Sequence, residues 1–86
     1  MVQLTAIVKN SLGIHARPAA LIVQAASRFR SDIFLSKDGM EVNGKSIMGV
    51  MMLAAEPNAE VSVRVQGEDE TQAAQEMVRV IESKFD

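Results

Sequence analysis

The one histidine of this chain, His15, stands two residues before an arginine and three before a proline, in the string His15-Ala16-Arg17-Pro18. Imidazole is a nucleophile near neutral pH. A guanidinium presents a charged fork that matches phosphate oxygens. Proline fits a helix only in its first turn, where a missing N–H costs nothing. The helix is therefore expected to begin near His15 or Ala16, and the unpaired amides of such a start favour anions. A nucleophilic nitrogen, an anion site and an arginine thus meet within three residues, which is the equipment for holding a phosphoryl group on imidazole. The plainer alternative is an exposed His15 beside a solvated Arg17. A hydrolase would need a general base or a metal as well, and neither is visible. One histidine, no cysteine and no adjacent acid exclude an ordinary zinc site.

A second candidate is Ser46, just before the run Ile47-Met48-Gly49-Val50-Met51-Met52-Leu53. As an N-cap, a serine contributes about 1 kcal/mol. As a phosphorylation site it would place about two negative charges against a helix N-terminus, a stabilising position. The run after it has no polar residue, so a short helix there cannot bury every side in a small domain. Val50 and Leu53 suit the buried face. Ile47, Met48 and Met51 lie close together on the other and mark a protein-binding surface, with methionine adapting to varied partners. The competing reading is a helix buried all round.

A third match does not survive inspection. Gly39, four residues, then Gly44-Lys45-Ser46 fits the string of a phosphate-binding loop. The four residues are bulky and alternating, Asp38-Gly39 is already a hairpin turn, and no strand downstream ends in a magnesium-binding aspartate.

The elements that must position these residues follow from pattern and composition. Eighty-six residues make one domain, residues 1–86, burying roughly 60–65% of its unfolded surface. Hydrophobic residues at 48% and charged residues at 23% are globular proportions. The net charge of −2 offers no basic face for nucleic acid, and the absence of Trp and Tyr denies a base-stacking platform. No segment approaches the ~20 apolar residues of a membrane span, and the N-terminus lacks the form of a signal peptide, so a cytoplasmic protein without membrane insertion is expected.

The first segment alternates, with Val2, Leu4, Ala6 and Val8 inward. A helix from Ala16 to Phe29 buries Ala19, Val23 and Ala26, or Ala16, Ala20 and Val23. Asp32 to Lys37 and Met40 to Asn43 form a hairpin with Ile33 and Leu35 inward and Phe34 outward. A short helix runs from Ile47 to Leu53. Glu56-Pro57-Asn58-Ala59 turns into a strand, Glu60 to Gln66, with Val61, Val63 and Val65 inward. The last helix buries Ala74, Met77, Val78, Ile81 and Phe85, with Lys84 near its C-terminus. This βαββαβα order, with one buried face per strand, predicts an α+β fold: a four-stranded antiparallel sheet with three helices on one face.

Gly13-Ile14-His15-Ala16-Arg17-Pro18-Ala19 resembles the active-site motif of the HPr family, the histidine-containing phosphocarriers of the bacterial phosphoenolpyruvate-dependent phosphotransferase system. The resemblance covers essentially the whole chain. It continues through Asn43-Gly44-Lys45-Ser46-Ile47-Met48-Gly49-Val50-Met51, similar to the regulatory-serine segment, and Gly67-Glu68-Asp69-Glu70. It implies an open-faced β-sandwich and a carrier rather than a turnover enzyme, without cofactor. Enzyme I would phosphorylate Nδ1 of His15, and the group would pass to sugar-specific permease components. Ala16, Arg17 and Pro18 would form the phosphoryl cradle, through the amides of Ala16 and Arg17 and the Arg17 charge. Ser46 would be the target of an HPr kinase/phosphorylase, and Ala20, Gln24, Ile47, Met48 and Met51 would dock partners, a transcriptional regulator among them. A monomer suits such a carrier. Pro57-Asn58 departs from the Lys-Gly of many relatives and changes a turn. Residues 28–37 are similar to a regulatory branch, some of whose members lack the histidine, and the nitrogen-related branch shares the histidine motif. The alternative is therefore a mainly regulatory module switched at Ser46.

Overall fold

The computed structural model describes residues 1–84. The elements are β1 (Val2–Ile7), α1 (Ala16–Ser27), β2 (Asp32–Lys37), β3 (Met40–Asn43), α2 (Ile47–Met52), β4 (Glu60–Gln66) and α3 (Glu70–Ile81). All strand pairs are antiparallel, in the order β1-β4-β2-β3. Val63 of the central strand lies between Leu4 and Leu35. That register gathers Ala6, Val61, Val63, Val65, Ile33 and Leu35 on one buried face, against Ile22, Val50, Met77 and Ile81 from the helices. Each such large side chain contributes about 2 kcal/mol when fully buried. The outer face is polar. Gln3 donates to the Ser62 hydroxyl, and Arg64 makes a two-pronged bond to Glu41 while lying 4.7 Å over the Phe34 ring. Phe34 thus faces outward as expected, covered by a cation.

Local chemistry explains the turns. Asp38 and Gly39 both take positive φ, 52° and 83°, the twist a two-residue hairpin needs. Asn58 takes φ 71° in the turn before β4. The string resembling a phosphate-binding loop is no loop: its four middle residues are β3, and the Gly44 amide donates to the Ile33 carbonyl.

Several expectations need correction. Leu4 points to the inner side but is 36% exposed, on a strand that lies at one margin of the sheet. Helix α1 stops at Ser27 rather than Phe29, its last turn tightening as Arg28 and Phe29 donate to Ala25 and Ala26. Its buried residues are Pro18, Ala19, Ile22, Ala25 and Ala26: of the two predicted stripes the first holds at Ala19 and Ala26, with Val23 half-buried against the core, and the second fails, with Ala16 exposed and Ala20 only partly covered. The helix is apolar on nearly every side, and tertiary contact alone selects the face. In α3 the stripe is Ala73, Ala74, Met77, Val80 and Ile81. Val78 is only half-buried against the core, while Ala73 and Val80 widen the buried face of a helix that packs on α1 as well as on the sheet. Phe85, assigned to that stripe, lies outside the described residues. Lys84 lies beyond the end of α3, whose last turn carries Arg79.

Candidate functional site

The loop between β1 and α1 is tied down before it reaches His15. Asn10 is fully buried, its Nδ2 donates to the Gly13 carbonyl at 2.9 Å, and the Gly13 amide donates back to the Asn10 carbonyl at 3.0 Å. Gly13 has φ +72°, and a Cβ there would stand 2.4 Å from the Ala55 carbonyl oxygen. Only glycine allows this approach. The next amide, of Ile14, donates to that same oxygen at 2.8 Å. The segment carrying His15 is thereby fastened to the chain leaving α2. That exit is itself held: Lys37 Nζ reaches the Ala54 carbonyl at 3.4 Å and the Glu56 carboxylate at 3.2 Å, where Ala54 sits at a positive φ of 49°.

His15 is the N-cap of α1, in extended conformation (φ −97°, ψ −166°), and its side chain makes no capping bond. It is exposed, as are Ala16 and Arg17. The first intrahelical amide is that of Ala19, which donates to the His15 carbonyl at 2.9 Å. Pro18 has no amide hydrogen to satisfy. The Ala16 and Arg17 N–H groups therefore start the helix without an intrahelical acceptor. Among the described residues Arg17 has no ion-pair partner. Nucleophile, two open amides and a free guanidinium thus share one helix start. No cluster of His, Cys, Asp and Glu able to hold a metal exists among the described residues.

Ser46 is also an N-cap, but an engaged one: its hydroxyl accepts from the Gly49 amide at 3.1 Å. Beyond it α2 keeps Val50 and Leu53 buried and leaves Ile47 (41%), Met48 (68%) and Met51 (41%) exposed. Gln24 is exposed on α1 and Ala20 half-buried. Two further exposed apolar residues escaped the sequence reading. Met52 is 62% exposed, and Leu12, three residues before His15, is 71% exposed. Leu12 sits in a stretch that reads only as a turn, and Met52 in a helix whose apolar residues run all round, so no local signal separates them.

Comparison with known proteins gives the family of the chain. Residues 2–83 match the family described as PTS HPr component phosphorylation site. The phosphocarrier protein HPr of Treponema pallidum (strain Nichols) is 52% identical over 86 residues, covering 100% of this chain and 98% of that protein. The solved phosphocarrier HPr of Bacillus anthracis str. Ames superposes with a TM-score of 0.90 at 42% identity, over 94% of this chain and 96% of that one. The HPr-like protein Crh of Bacillus subtilis (strain 168) is 49% identical over 84 residues, 98% of this chain and 99% of its own. A crystal structure of Crh, a dimer with a swapping domain, superposes with a TM-score of 0.76 at 51% identity, over 94% and 93% of the two chains. The chain belongs to the HPr family of phosphocarriers. No helix among the described residues is long and apolar enough to cross a membrane.

Proposed function

We propose that this chain is a single-domain phosphoryl carrier in which His15 takes a phosphoryl group from phospho-enzyme I and passes it to sugar-specific permease components. In the first step Nδ1 of His15 attacks phosphorus, the bond to the enzyme I nitrogen breaks, and that nitrogen leaves with its electron pair. In the second, the acceptor's nucleophile displaces His15 in the same way. The Ala16 and Arg17 amides and the Arg17 guanidinium stabilise the charge on the three phosphoryl oxygens, and Pro18 sets the backbone that presents them. Partners dock on Ala20, Gln24, Ile47, Met48 and Met51 and leave quickly, as transfer between several proteins requires. The chain turns over no substrate of its own, and it works in the cytoplasm as a monomer. The observation that carries this reading is the exposed, uncapped His15 at a helix start with two open amides. The experiment is to supply enzyme I and labelled phosphoenolpyruvate. An acid-labile label on the parent, absent from His15→Ala, is expected. No label on either protein overturns the carrier.

A second role is favoured by the likeness to Crh and by the engaged cap at Ser46. An HPr kinase/phosphorylase modifies Ser46, and the added charge beside Ile47 and Met48 changes which partners bind, a transcriptional regulator among them. Label from ATP and that kinase is expected on the parent and lost in Ser46→Ala. An unchanged signal places the site elsewhere.

A further inference from the structure

Of the six methionines, Met77 is fully buried in the core and the other five are exposed. Three of those five belong to one short helix, at Met48, Met51 and Met52. The spacing i, i+3, i+4 makes their side chains neighbours. Their helix is anchored independently of them. Val50 and Leu53 hold it to the core, Ser46 closes its start, and Lys45 Nζ ties that start to the Phe29 carbonyl at 2.8 Å. Its exit holds the Ile14 amide, one residue from His15. The chain has no Cys, Trp or Tyr, so nothing more reactive competes for an oxidant. Three of the five exposed thioethers are thus gathered on one helix, whose exit is hydrogen-bonded one residue from the histidine and which is anchored without them.

We propose that Met48, Met51 and Met52 form an oxidation switch on the docking face, an inference that rests on the carrier reading above. The sulfur lone pair attacks one oxygen of hydrogen peroxide, the O–O bond breaks, and the second oxygen leaves as water after proton transfer. Sulfur loses two electrons and the peroxide gains them. The product sulfoxide is polar where the thioether was apolar, so the face loses its complementarity to apolar partner surfaces. A dithiol reductase returns two electrons and two protons, releasing water and leaving its own disulfide. The core methionine is out of reach, and the fold persists through the cycle.

The test compares the intact protein with the triple variant Met48→Leu, Met51→Leu, Met52→Leu, each against its own untreated rate of phosphorylation by phospho-enzyme I. After hydrogen peroxide, peptide mass spectrometry should find three added oxygens in the α2 peptide of the parent. Its rate should fall about tenfold or more, with circular dichroism unchanged. Methionine sulfoxide reductase with dithiothreitol should restore it. The triple variant should stay within about twofold of its untreated rate after the same exposure. An oxidised parent that transfers at full rate, an equal loss in the triple variant, or a loss of fold on oxidation each overturns the switch alone. An untreated parent that takes no label overturns the carrier reading, and the switch with it.

Discussion

Helices α1 and α2 begin in opposite ways, although both follow a short loop and both carry a polar side chain at the N-cap. At α2, Ser46 turns its hydroxyl onto the Gly49 amide, so the helix answers one of its own donors. At α1, the N-cap is His15, whose ring makes no such bond, and Pro18 follows where an amide would otherwise need a partner. The α1 start therefore keeps donors open in the same few residues that supply a nucleophile and a guanidinium. The α2 start also has two amides without an intrahelical acceptor, those of Ile47 and Met48, but its cap is engaged and its first residues supply no nucleophile or guanidinium. A phosphate on Ser46 would replace a cap already engaged with the Gly49 amide and add charge to the apolar surface around it. A phosphoryl group on His15 would meet donors with no competing partner. The difference separates a place that holds a group from a place that changes a surface.

The most disruptive way to break this contrast is Gly13→Ala. The new Cβ meets the Ala55 carbonyl at 2.4 Å in a backbone with φ +72°. Strain and overpacking together should cost about 3 kcal/mol, read as a lower urea midpoint, with slower His15 labelling as the loop shifts. A cost below about 1 kcal/mol would show that the loop yields and that its fastening to α2 is loose. Next comes Arg17→Ala, which leaves the helix start open but removes its charge. Labelling should slow about a hundredfold, by analogy with removal of one donor from an anion-stabilising site. Stability should stay within about 0.5 kcal/mol because the side chain is exposed and unpaired. An unchanged rate would leave the amides as the whole cradle. A smaller effect is expected at the engaged cap: Ser46→Ala should cost about 1 kcal/mol, whereas Ser46→Asp, which can also accept from the Gly49 amide, should cost only a few tenths. Equal losses for the two variants would mean that the cap is not what Ser46 contributes.

How much of this was legible in the sequence depended on whether the deciding contact was local. Val61, Val63 and Val65 alternate in a strand flanked on both sides, so pattern and burial coincide. Asp38-Gly39 and Asn58 announce their turns because the required positive φ is a property of the residues themselves. The string from His15 to Pro18 reads directly, since cap, nucleophile and proline lie within one turn. The support beneath it does not. Ala55 and Lys37 are 40 and 22 residues from His15, and nothing near either one signals the hydrogen bonds they make to the loop or to its anchor. Ile22 was missed as the centre of the α1 stripe because Leu21, Ile22 and Val23 are equally apolar and only packing selects among them. Leu4 lies on the side its alternation predicts but stays exposed, because a strand's position at the margin of a sheet leaves no trace in that alternation.

The third helix offers the finest test of the comparison. Asp69, the N-cap of α3, makes no capping bond either, yet it is far from idle. Its carboxylate accepts from the Ser31 hydroxyl and from the amides of Ser31 and Arg30, joining the α1–β2 loop to the start of α3. The Ser31 hydroxyl first, and the Arg30 amide next, pull its pKa down to about 2. A carboxyl depressed in the folded state lends stability that is complete above its unfolded pKa, near 4, and is lost as pH falls towards 2. Glu56, Glu70 and Glu76 are shifted downward as well, so acid should weaken the whole fold. The Asp69 share is isolated by Asp69→Asn, which keeps an acceptor oxygen but cannot ionise. In urea unfolding the parent should exceed the variant at pH 6, and the gap should narrow progressively between about pH 4 and pH 2. A gap that stays constant over that range would mean that the Asp69 charge contributes nothing beyond hydrogen-bond geometry.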